Sequence, residues 1–203
     1  MRQPGSTWSA EARVLFRPAA TFGELMRHEC GRAPLVRKPL LLAFLLGCSV
    51  SVLASGRFSV RLITDGALSF LFVPLIEMAA LALVTGTGAG RGISFRRTVD
   101  LFFTGNAPWL LWLVGFAVLG CLVTPVKMGP WILAFFAGSL IPVSWSVYID
   151  YHFYREVMNR PPASAVRDIL IHRAISWVVA GAYFFGIAIW SELLPEFAAW
   201  IKP

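Results

Sequence analysis

The sequence predicts an all-α fold: a polytopic membrane bundle of five transmembrane helices, N-terminus inside and C-terminus outside. Three observations predict it. The chain is 57% hydrophobic and only 14% charged, against about 45–50% and about 25% in soluble domains. That leaves too little polar surface to cover a soluble globule of 203 residues. Long apolar runs recur at membrane-spanning length. The basic residues are also unevenly divided among the segments between those runs.

Residues 1–39 form a basic, amphipathic N-terminal segment on the cytoplasmic side. Ser9 caps a turn through Val14, Leu15 and Phe16 that Pro18 ends. Thr21-Phe22-Gly23-Glu24 has capping-box spacing, and Leu25 to Cys30 then form a short helix that stops at Gly31. Phe16, Phe22, Leu25 and Met26 would face lipid headgroups while Arg17 and Arg27 meet phosphates. A partly ordered tail is the alternative.

The transmembrane domain covers residues 40–190. Its first span is about Leu40 to Ser55, preceded by Arg37 and Lys38. A cleaved signal peptide competes here, but the leading region is far too long for one. The second span is about Ala67 to Val84. The glycine-rich stretch Thr85 to Gly92 that follows matches neither a P-loop nor a dinucleotide fingerprint. Ser94 caps a helix with Phe95, Val99, Phe102 and Phe103 on one face and Arg96, Arg97 and Asp100 on the other. This reads as an interfacial helix; the alternative is one long helix kinked near Pro108. The third span is about Ala107 to Thr124. A tight turn leads to the fourth, about Trp131 to Ile149. A polar, aromatic segment from Asp150 to Asp168 separates it from the fifth, about Ile169 to Trp190. Residues 191–203 form an external interfacial tail in which Phe197 and Trp200 act as anchors.

Seven basic residues lie in the N-terminal segment, three in the 85–106 loop and four around the fourth loop. Only Arg57, Arg61, Lys127 and Lys202 fall on the other side. The excess marks the inner face, at a cell inner (plasma) membrane or, in a eukaryote, an endomembrane. The net charge of +7 therefore meets anionic lipid rather than nucleic acid, because it is spread over three separate loops.

Small residues recur at four-residue spacing: Ala43, Gly47 and Ser51, then Ala134 and Gly138, then Ala182 and Gly186. Such positions let backbones approach, within the bundle or against a membrane-protein partner or second copy.

Glu77 is the residue most expected to carry function. An acidic group near mid-span costs about 2.5–3.5 kcal/mol on insertion scales. Pro74 frees the carbonyl of Phe70 one turn earlier, so the two could line a small polar site. The bland reading is a protonated, hydrogen-bonded glutamate that only fixes packing, favoured because no second acid lies inside a span. Ser139, Ser144, Ser146 and Tyr148 are candidate partners for Glu77. Arg173 snorkels to headgroups or, if the second and fifth helices are adjacent, reaches Glu77. Asp150 and His152 are too close in helical sequence to face each other. No catalytic, cofactor or metal constellation is present in the sequence, and Cys30, Cys48 and Cys121 are no disulfide framework.

Several of these stretches together resemble the Yip1 family, especially its bacterial members. They are Leu15-Phe16-Arg17-Pro18-Ala19-Ala20-Thr21-Phe22, the glycine-rich loop followed by Ser94-Phe95-Arg96-Arg97, Ala107-Pro108-Trp109-Leu110, and Arg173-Ala174. The resemblance covers roughly residues 13–190; the Asp-Leu-Tyr-Gly-Pro motif of the eukaryotic members is absent. It implies a five-span, non-enzymatic membrane protein that works through partners, as a scaffold, adaptor or accessory subunit. Arg17, Arg96 and Arg97 are the candidate contacts for partner or lipid. The alternative function is a small transporter or channel component using Glu77.

Overall fold

The computed structural model describes residues 9–27, 36–86, 93–122 and 128–188. Among them every regular element is helical. Three helical stretches are long and apolar enough to cross a membrane: Arg37–Ser55, Val60–Gly86 and Leu133–Val157. A fourth is added if Phe95–Thr104 and Ala107–Leu122, bent by 46° at their junction, count as one span. The expected tail at 191–203 and the first half of the expected turn, residues 125–127, lie outside the described residues; the second half of that turn, residues 128–130, is the start of a helix instead.

Helix α1 (Ala10–Phe16) is capped by Ser9, whose hydroxyl accepts from the Ala12 N–H at 3.2 Å. Helix α2 (Pro18–Arg27) begins at the proline itself, since a ring-fixed φ suits a first turn. The proposed cap at Thr21 is therefore wrong: Thr21 sits inside α2, and Glu24 turns back to pair with Arg13. Nor does this pair of helices lie with its apolar face among headgroups. Val14 and Phe22 are fully buried. Phe22 packs edge-on against Phe153 at 5.9 Å, and the Trp145 indole donates to the Leu15 carbonyl at 3.0 Å. Of the residues expected to meet headgroups, Phe16, Arg17 and Arg27 stay on the surface.

Helix α3 (Arg37–Ser55) ends at Gly56, whose φ of 66° is the left-handed conformation glycine adopts without strain. Next come α4 (Val60–Phe70) and α5 (Phe72–Gly86), interrupted at Leu71, three residues before Pro74. The helical stretch that holds the expected second span begins at Val60, about two turns before the expected Ala67, and Arg61 and Asp65 form an exposed pair in its first turns. Gly47 explains how α3 and α4 pack. A Cβ at Gly47 would collide with the Ile63 carbonyl and lie 2.7 Å from the Ala67 nitrogen. Ala43 and Ser51 are buried on the same face. This small-residue stripe is thus an internal contact. Gly138 likewise abuts the Trp112 ring, whereas a Cβ at Gly186 would meet nothing within 4 Å among the described residues.

Helix α6 (Phe95–Thr104) is capped by Ser94, as its sequence indicates, and most of its apolar face, Val99, Phe102 and Phe103, is buried in the bundle. Leu101 through Pro108 is buried without interruption. Gly105 makes the bend into α7 (Ala107–Leu122) by sitting against Ile149 and Phe22. The basic face of α6 is half-buried too. Arg97 donates to the Leu25 carbonyl at 2.7 Å, and Asp100 binds Lys38 at 2.8 Å. Arg96 is exposed.

Helices α8 (Met128–Gly138) and α9 (Leu140–His152) run into a π-helical turn, Phe153–Val157. The segment from Asp150 onward is therefore helix rather than loop for two further turns. Asn159, at φ 53°, ends it, a conformation asparagine tolerates better than most residues. Helix α10 (Pro162–Ala188) starts two turns before the expected fifth span. Its early carboxylate, Asp168, is buried beside Arg160 at 3.0 Å. Helix α10 packs mainly along α5 and also meets α9 and the π turn.

Candidate functional site

The packing of α5, α9 and α10 brings together residues that are far apart in the sequence. Glu77 projects from α5, and His172 and Arg173 from α10, about three turns past its start. His172 Nε2 lies 2.8 Å from Glu77 Oε2, and its Nδ1 lies 2.8 Å from the Tyr154 hydroxyl. Tyr154 reaches this far because it sits in the π turn, whose wider coil displaces side chains from the ordinary helical register. Phe102 stacks on the imidazole at 4.9 Å and 25°. His172 is 1% exposed, so those two polar partners are the ones it has among the described residues.

Arg173 faces the other way around the same centre. It bonds Asp150 through both Nε, at 3.0 Å, and a terminal nitrogen. It also donates to the Ser146 hydroxyl at 3.1 Å and stands 3.9 Å from Glu77. Of the two readings of Arg173, the structure has the inward one; its guanidinium does not snorkel. The premise that no second acid lies within a span also fails, because Asp150 is carried inside the Leu133–Val157 helix. Of the proposed partners for Glu77, Ser139 and Ser144 turn back on their own helix, bonding Phe136 and Leu140 carbonyls, and Tyr148 is 51% exposed. Ser146 touches Arg173 instead. Pro74 is buried one turn from Glu77 and outside the network.

The arrangement is chemically informative. An ionised carboxylate only accepts hydrogen bonds, so Nε2–H of His172 donates to Glu77. Tyr154 then completes either protonation state: its O–H donates to Nδ1 of a neutral ring, or its oxygen accepts from Nδ1–H of a charged one. With both carboxylates ionised and His172 neutral, Arg173 leaves one net negative charge. A single proton on His172 or Glu77 brings the cluster to zero. No family model matches the chain, and neither does any curated protein or solved structure. The site's chemistry therefore rests on its own geometry. Among the described residues no three His, Cys, Asp or Glu side chains gather as a metal site would require.

A cavity of about 240 Å³ opens beside the network. Glu77, Arg173, Asn106 and Ser176 form its polar edge, and the rest of its wall is apolar or aromatic. His172 and Asp150 were not assigned a role from sequence. One signal pointed to His172: Asp168, His172 and Ser176 recur every fourth residue on α10, and each is buried, which makes a polar stripe on an inward helix face. Arg17 and Arg96 remain at the surface, separate from this centre.

Proposed function

We propose that this chain is a five-span integral membrane protein of the inner or plasma membrane that handles a proton at the Glu77–His172–Tyr154 relay, as a small transporter or channel component. The observation carrying this reading is His172, hydrogen-bonded on both ring nitrogens between a carboxylate and a phenol. Ionisable groups inside a membrane bundle are costly and characteristically line ion or proton paths. In this reading the bent α6–α7 pair is one span, the apolar second half of α10 is the fifth, and the basic excess sets the N-terminus inside. In proteoliposomes loaded with a pH-sensitive dye, wild type dissipates an imposed pH gradient faster than empty vesicles. Glu77→Gln, eluting as a single species on size exclusion, does not. Equal rates for wild type and empty vesicles would remove the reading.

A second reading has its own support. The outer face of α10 exposes Val178 and Phe185, and among the described residues nothing lies within 4 Å of a Cβ placed at Gly181 or Gly186. A Yip1-like adaptor would use such a face to meet another membrane protein, as small-residue faces do. Gly186→Leu then removes a stoichiometric partner that Glu77→Gln retains. Unchanged co-purification in both variants counts against it.

A further inference from the structure

The cavity between α3, α5, α7 and α10 is edged by two ionic atoms that the proton relay does not use. Glu77 meets His172 through Oε2, and its Oε1 accepts no hydrogen bond among the described residues. Arg173 meets Asp150 and Ser146 through Nε and Nη2, and its Nη1 donates none. The two free atoms stand 3.9 Å apart, too far to bond each other. Neither is sealed in protein: the Glu77 and Arg173 side chains are 14% and 18% exposed, and both residues line the cavity. Most of the remaining wall is apolar, with Val73, Ile76, Trp109 and Leu113 among its residues. Two of the bordering helices are also broken beside it. Helix α4 gives way to α5 at Leu71, next to the lining residue Phe70, and α6 gives way to α7 at Gly105 and Asn106, of which Asn106 lines the cavity. Interrupted helices near mid-membrane are where transporters place the site for their substrate.

We propose that this cavity binds a zwitterionic α-amino acid with an apolar side chain of about leucine's size, its ammonium on Glu77 Oε1 and its carboxylate on Arg173 Nη1. A lone cation at this edge would stand beside a guanidinium, and a lone anion beside a carboxylate; each is repelled by one of the two. A molecule carrying both charges on one carbon satisfies both. Its amino nitrogen and nearer carboxylate oxygen lie about 2.7 Å apart, which lets each reach its own partner across a 3.9 Å pair. The net charge of the cluster is unchanged on binding, so no further ion has to enter. Size agrees: a cavity of about 150 Å³ takes benzene, so about 240 Å³ takes about ten heavy atoms, and the apolar wall receives the side chain. The assignment deepens the transport reading and rests on it only for the view that the ligand is cargo. Binding is read with no pH gradient, so a protein that binds the amino acid but passes no protons keeps this site and loses the relay, and the reverse result loses this site alone.

The test uses the full chain in lipid nanodiscs, radiolabelled L-leucine as probe, and empty nanodiscs for background. Wild type binds leucine saturably. Isoamylamine, which lacks the carboxylate, and isocaproate, which lacks the ammonium, each compete about tenfold or more less well than unlabelled leucine. Glu77→Gln, eluting as a single species on size exclusion, weakens leucine by about ten- to 100-fold, the worth of one hydrogen bond between charged groups. Asp150→Leu combined with Arg173→Met removes the guanidinium together with its buried counter-ion and weakens leucine by a similar factor. Ala180→Phe, which fills the cavity from α10 and leaves both charges in place, removes binding. No saturable leucine binding above empty nanodiscs would overturn the assignment. So would an amine or an acid that competes as well as leucine, or wild-type affinity in Glu77→Gln.

Discussion

Two helix contacts in this bundle hold by opposite means. Between α3 and α4 the contact is dry and backbone-close: Gly47 meets Ile63 and Ala67 with no room for a methyl group. Between α5, α9 and α10 the contact is made by charges, through Glu77, His172, Arg173 and Asp150. The first is a contact of shape and tolerates no added atom. The second is a contact of charge balance and tolerates changes that keep the balance.

That contrast is open to direct attack. The largest effect falls on Gly47. Its neighbours are backbone atoms that cannot rotate away, so Gly47→Leu should cost more than about 3 kcal/mol and abolish the single folded peak on size exclusion. It therefore tests folding rather than partner choice, and a well-folded variant would undo the close-contact account. Next is Asp150→Ala, which strands a mostly buried guanidinium and should lower stability by about 3 kcal/mol in a denaturing-detergent titration. Asp150→Leu combined with Arg173→Met should recover to within about 1 kcal/mol of wild type; a double variant as weak as the single would mean the pair is not a unit. Tyr154→Phe removes one bond from His172 and should cost about 1 kcal/mol by the same titration, while altering the pH dependence of proton flux more than its amount. The smallest effect belongs to Gly186→Ala, which meets open space and should stay within about 0.5 kcal/mol of wild type.

The shape contact was legible in the sequence and the charge contact was only half so. Ala43, Gly47 and Ser51 declare themselves by spacing within one helix, and the caps at Ser9 and Ser94 are local chemistry. Glu77 declared itself by its cost in an apolar run. Its partners did not, because His172 is 95 residues away and a linear pattern carries no statement of which helices are neighbours. Asp150 was hidden for another reason. It opens a run of polar and aromatic residues that reads as a loop, yet those residues continue the helix because the bundle itself supplies their partners. The burial of α6 was missed for the same cause: an amphipathic pattern fits a lipid surface and a protein groove equally well.

The docking of α1 and α2 bears on how the chain is made. The Leu15 carbonyl receives its hydrogen bond from Trp145, 130 residues further along, and Phe22 packs on Phe153. At about 5–20 residues per second, synthesis reaches that tryptophan roughly 6–26 s after Leu15. For that interval Val14 and Phe22, both sealed in the finished protein, have only the earlier-made α6–α7 bend to pack on, and the closing of this end of the bundle is a late step of biogenesis.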